Sequence, residues 1–133
     1  MHILMSTIAG LLAAYVSYFL NGRALKLLGE DAVTYGAPVI EETLKTGLAI
    51  AAGGSILFSH ITFGLVEAAY DIFKNRGILQ YTAGIAGLIS HAVFGIITVY
   101  VWRFFGSPLV GVAIAIIIHM LWNHMIIHIR VKQ

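Results

Sequence analysis

Residues 3–20, ILMSTIAGLLAAYVSYFL, carry no charged side chain and are long enough to cross a bilayer as a helix. Comparable apolar runs follow over about 80–102 and 108–128. In lipid every backbone polar group must be satisfied internally, so such a chain folds as helices or a closed barrel, and runs of this length choose helices. Composition agrees: charged residues make up 11% of the 133, against roughly 25% in a soluble domain, and the mean hydropathy is +0.91. The expected class is all-α, a polytopic membrane bundle of about five transmembrane helices in a single domain, 1–133. The first run lacks the Lys/Arg start of a secretory signal and is expected to be a retained helix. There is no cysteine, so neither a disulfide framework nor a thiol nucleophile is available. The formal charge of +2 points to loop orientation rather than to a nucleic-acid partner.

The five helices are expected at about 3–20, 38–53, 55–73, 80–102 and 108–128. The segment NGRALKLLGEDAVTYG reads as an interfacial loop with a short amphipathic turn near Leu25–Leu28. KNRG (74–77) and RFFGSP (103–108) read as turns. The second helix starts at Pro38, a residue suited to a first helical turn, and at roughly 15 residues is short for a span. Five spans place Arg23, Lys26, Lys74, Arg76, Arg130 and Lys132 on one side and Arg103 on the other. That bias predicts an N-terminus outside and a C-terminus in the cytoplasm, and the expected location is a prokaryotic plasma membrane.

The second helix contains PVIEETLKTGLAIA, with Glu41, Glu42 and Lys45 in an otherwise apolar setting. At about 1.5 Å per residue, Glu41 and Glu42 fall roughly 5–10 Å inside the cytoplasmic edge, Glu67 roughly 9 Å, His91 roughly 15 Å, His119 roughly 13 Å and Asn123 roughly 8 Å. Four helices therefore bring polar groups to one layer. His60, Phe63, Glu67 and Asp71 share one stripe of the third helix, and His119 and Asn123 stack four apart on the fifth. Lys45 follows Glu41 by four residues and Glu42 by three, so either can pair with it. Ionisable groups at membrane depth face the bundle interior or a wet cavity. Three carboxylates beside one lysine cannot all ionise in low dielectric, and a charged and a protonated carboxyl side by side suit general acid–base chemistry.

Four ordered motifs carry a resemblance. EETLK (Glu41–Lys45) fits EExxK, FGLVEAAY (Phe63–Tyr70) contains FxxxE, His91 stands alone in ISHAVFG, and HMLWN (His119–Asn123) fits HxxxN. Across residues 38–124 the set resembles the PrsW family of intramembrane proteases, which is similar to the CAAX prenyl endopeptidase and Abi group. Where that group has an FxxxH histidine this chain has Glu67, and its basic residue is Lys45 rather than an arginine one place later; both features fit the PrsW branch. The resemblance implies a glutamate-type intramembrane peptidase. It cuts a membrane protein or lipidated peptide near the inner leaflet, with Glu41, Glu42, Glu67, His91, His119 and Asn123 as its site and Lys45, Phe63 and Tyr70 in support. Glu41 or Glu42 activates a water, the other pairs with Lys45, His119 and Asn123 stabilise the oxyanion, and Glu67 and His91 orient the water or protonate the leaving amine. No cofactor is required on this reading. A zinc-dependent version is the first alternative, with Glu42, Glu67, His91 and His119 as ligands. A proton-coupled transporter and a non-catalytic scaffold subunit on the same fold are the others.

Plainer readings apply residue by residue. Glu41 with Lys45 can brace a helix end, and lone membrane histidines often hydrogen-bond across helices. His60, nearer the outer side, reads as structural or as lining a water path. His124 and His128 read as interfacial, and Trp102, Trp122 and Tyr100 as anchors or packing. Gly53, Gly54, Gly84 and Gly87 read as points of close helix approach.

Overall fold

The protein is described by a computed structural model. Backbone is described for residues 1–74 and 78–131, and side chains for 1–74 and 80–127. Asn75, Arg76, Gly77 and Lys132, and the side chains of His128 and Arg130, lie outside the described residues.

Five α-helices form one bundle: α1 (His2–Leu28), α2 (Ala37–Ala51), α3 (Ile56–Lys74), α4 (Ile78–Phe105) and α5 (Pro108–Val131). All but α2 are long and apolar enough to cross a membrane. The chain is an integral membrane protein of the helical class. Its interior and exterior are reversed relative to a soluble domain. Lys45, His60, Glu42, Thr46 and Thr98 are among the largest fully buried side chains, while Leu27, Phe73, Leu109 and Tyr100 stand on the surface. Such an exterior is stable only against hydrocarbon.

Two boundaries differ from the sequence expectation. The first helix does not end near residue 20 but runs to Leu28. Its polar extension, Arg23 to Leu28, is built of good helix formers, and the helix stops only at Gly29, whose φ is 62°. The expected loop is thus mostly helical, and its last part, Ala32–Gly36, is a π-helical turn that feeds straight into α2. The second turn is shorter than RFFGSP: α4 continues to Phe105, and only Gly106, with φ 71°, and Ser107 separate it from Pro108 at the start of α5.

Although α2 has only 15 residues, roughly 22 Å of rise, it returns the chain along α1. Asn21 near the finish of α1 bonds Glu41 near the start of α2. His2 and Ser6 at the start of α1 bond Gly53 and Ser55 just past the finish of α2. The start of α1 and the later turns of α5, where Asn123 bonds the Val33 carbonyl, sit at opposite ends of the bundle. The helices approach closely through small residues, as membrane helices do. At Gly64 a methyl group would come within 3.1 Å of the His91 Cβ, and at Gly95 within 3.0 Å of the His60 Cβ. These two glycines let α3 and α4 close over the polar layer. Of the glycines expected at close approaches, Gly54 meets Ser6 and Gly84 meets Ile72, whereas Gly87 faces open space and Gly53 serves the turn after α2 with φ 63°.

Candidate functional site

One face of α2 carries Glu41, Glu42, Lys45, Thr46 and Ala49 inward, all buried. Positions 42, 45, 46 and 49 recur at three and four residues, so they stack on one stripe. Lys45, with no exposed surface, is the hub. Its Nζ donates to Glu42 Oε1 at 2.6 Å and to His91 Nδ1 at 3.0 Å, and lies 3.8 Å from Glu41 Oε2. The Phe63 ring sits 4.4 Å from the same ammonium, offering its face to the cation.

The two adjacent glutamates are held differently. Glu42 Oε1 also accepts from His119 Nδ1 at 2.9 Å, and His60 Nδ1 stands 3.6 Å from Glu42 Oε2. Glu42 Oε1 is therefore held by donors from α2 and α5, while its Oε2 has no hydrogen-bond partner among the described residues. Glu41 receives a single hydrogen bond, from Asn21 Nδ2 to Oε1 at 2.9 Å, and its Oε2 has no hydrogen-bond partner among the described residues. The third carboxylate, Glu67, bonds His91 Nε2. Because Nδ1 of His91 accepts from the lysine, its proton sits on Nε2 and is donated to Glu67. A relay of hydrogen bonds thus runs Glu42–Lys45–His91–Glu67 across three helices. The His91 ring is wedged edge-on against Phe63, Phe94 and His119, while Phe94 stacks on His119 at 4.6 Å.

The structure brings Glu41, Glu42, Lys45, Phe63, Glu67, His91 and His119 into one cluster, at the layer the helical rise places them. Within it only Glu67 reaches the surface appreciably, with 43% of its side chain exposed; Glu41 and His119 are each 4% exposed and His91 2%. Access is therefore on the Glu67 side. Two expected members stand apart. Asn123 donates to the carbonyl of Val33 at 2.9 Å, tying α5 to the π-helical turn. Tyr70 is exposed and pairs with Tyr18 at 5.8 Å and with Lys74. Two members were not expected. His60 is fully buried between Thr46, 3.2 Å away, and Glu42; its place on the stripe of Glu67 was the available signal. Asn21 was hidden inside an apparent loop. His124 is exposed on α5. Trp102 packs against Ala9, Ala49 and Ile56.

Glu41, His91 and His119 each offer a ligand atom within 4.8 Å of the others. This differs from the ligand set expected for zinc, which took Glu42 and Glu67 instead of Glu41. In the arrangement present, both ring nitrogens of His91 are engaged, and a lysine ammonium stands among the three groups. A divalent ion would face that cation at close range in a weakly screened interior. The donor set as arranged does not fit a metal.

Fold and site together define a helical membrane protein with a buried carboxylate–lysine–histidine cluster opening at one carboxylate. No family model, curated protein or solved structure matches the chain.

Proposed function

We propose that the protein is an intramembrane peptidase of the glutamate type, as its resemblance to the PrsW family implies, with Glu41 as the base. The observation that carries this is the unequal treatment of the adjacent glutamates. Each keeps one oxygen without a hydrogen-bond partner among the described residues, but Glu42 is fixed through Oε1 by both Lys45 and His119, with His60 Nδ1 3.6 Å from its Oε2, whereas Glu41 is held by one bond from the neutral amide of Asn21. A base needs a free lone pair within reach of water, and an anchor needs the opposite.

On this reading a water gives its proton to Glu41 Oε2 as its oxygen attacks the scissile carbonyl. The C–N bond then breaks, and the departing amine takes a proton. Lys45 and His119 face the charge that builds on the carbonyl oxygen. His91 and Glu67 lie at the open side, where the amine leaves, and suit its protonation. With Asn123 bonded to Val33, oxyanion stabilisation falls to His119 and Lys45. Phe63 and Phe94 keep the histidine rings in place. The basic end, with Arg23, Lys26 and Lys74, lies in the cytoplasm by the loop-charge bias, so substrates are membrane anchors or lipidated tails cut near the inner leaflet.

Glu41→Gln is nearly isosteric and keeps an acceptor for Asn21. It is expected to lower cleavage of single-span substrates in nanodiscs about 10²–10⁴-fold while the protein stays folded. Full activity in that variant would dispose of the assignment. Activity lost to a strong chelator and restored by zinc would move the site to the metal alternative.

A further inference from the structure

Four buried polar atoms of α1 and α2 have no hydrogen-bond partner among the described residues: Ser17 Oγ, Asn21 Oδ1, Glu41 Oε2 and Glu42 Oε2, the last with His60 Nδ1 3.6 Å away. A buried acceptor left without a donor costs about 1–3 kcal/mol. Evolution of a membrane core around such atoms requires that something donate to them. Asn21 and Glu41 share one hydrogen bond, Nδ2 to Oε1 at 2.9 Å, which uses half of each planar group. The other halves, one amide oxygen and one carboxylate oxygen, remain as neighbouring acceptors. Ser17 lies one turn earlier on the same face of α1 and is 1% exposed. The remaining charged or titratable groups around Glu41 are Glu42 and Lys45 of its own helix, Glu67 of α3, His91 of α4 and His119 of α5. Of these, Lys45 is the nearest donor to Glu41 Oε2, at 3.8 Å, beyond hydrogen-bond reach.

We propose that Asn21 is a positioning residue which, with Glu41, seats the nucleophilic water; this rests on the peptidase reading above. Two acceptors hold a water by its hydrogens and leave its lone pairs free to attack. The seat is also asymmetric. The carboxylate can take a proton and the amide cannot, so proton transfer runs to Glu41 alone. The bond from Asn21 Nδ2 further fixes which oxygen of Glu41 faces the water. α1, which contributes none of the four motifs, thereby completes the site.

The test uses the full chain. A crystal structure grown in lipid mesophase, at a resolution that shows ordered water, is expected to place one within hydrogen-bond distance of both Asn21 Oδ1 and Glu41 Oε2. Asn21→Leu, of similar size, is expected to lose that water and about 10²-fold in kcat with KM little changed. Asn21→Gln keeps both the amide donor and the acceptor, is expected to keep the water, and covers the case in which the leucine variant fails to fold. A wild type without water at those two atoms, or an Asn21→Leu variant with unaltered water and kcat, overturns the proposal. A wild type that seats the water but hydrolyses no substrate of a single-span panel sinks the peptidase reading and leaves the seat standing. Loss of activity in Glu41→Gln with none in Asn21→Leu does the reverse.

Discussion

Polar residues are buried at both ends of the bundle, but they are satisfied in different ways. At the end where α1, α3 and α5 begin, the groups are small hydroxyls bonded to backbone carbonyls. Ser6 donates to His2 and Thr98 to Phe94, each within its own helix, and Ser59 of α3 donates to the Lys45 carbonyl of α2. In the cluster the partners are side chains from other helices: Lys45 to His91, His119 to Glu42, His91 to Glu67 and Asn21 to Glu41. The first arrangement leans on backbone groups, partly within one helix and partly on a neighbour. The second exists only when the helices are together, and it holds charges that hydrocarbon would reject. The buried hydroxyls are neutral, and the cluster gathers the buried ionisable groups. Three experiments can break or sharpen that contrast.

The largest effect is expected at Lys45. Lys45→Met keeps length and apolar volume but leaves Glu42 as a buried carboxylate without its cation. Removing one partner of a buried pair costs about 3–5 kcal/mol, which should appear as a large loss of stability in mixed-micelle unfolding. Adding Glu42→Gln to the variant should recover part of that loss. A single substitution as mild as a surface change would mean the cluster is not held by the lysine.

The hydroxyl end should respond instead to volume. At Gly10 a methyl group would stand 2.6 Å from the Ser59 carbonyl oxygen and 2.7 Å from the Thr62 Cβ. Gly10→Ala gains roughly 1 kcal/mol of helix propensity but forces α1 and α3 apart. A net loss of about 1–2 kcal/mol is expected, with the carboxylate–lysine–histidine cluster still assembled. If activity falls more than stability, the two ends are coupled and the division fails.

Much of this arrangement is legible in the sequence because a helix converts residue number into depth and face. Glu41, Glu67, His91 and His119 meet because their offsets from helix ends agree, and Lys45 pairs with Glu42 by spacing alone. What escaped has physical causes. Asn21 sits among polar residues that resemble a loop by composition, yet they are helix formers, and nothing stops α1 before Gly29. His60 lies a turn or two outside the expected layer, and only the close approach at Gly95 brings it against the site. Asn123 has the right spacing from His119, but the π-helical turn presents the Val33 carbonyl to it, and no periodicity in the sequence announces that turn.

The finest test of the contrast uses one substitution at two sites. Thr46 and Thr98 are equally buried, at 1% and 0% exposure, and threonine and valine have the same shape. Thr98 donates to the carbonyl four residues back in its own helix. That carbonyl keeps its helical N–H partner when the hydroxyl is gone, so Thr98→Val should cost less than about 0.5 kcal/mol. Thr46 bonds the His60 ring across helices at 3.2 Å, and the other ring nitrogen has no hydrogen-bond partner among the described residues. Thr46→Val strips the buried imidazole of its one bond and frees it to turn from Glu42. A cost of about 1 kcal/mol is expected, read by unfolding in the same micelles. Equal costs at the two threonines would show that the cluster satisfies its polar groups no differently from the rest of the bundle.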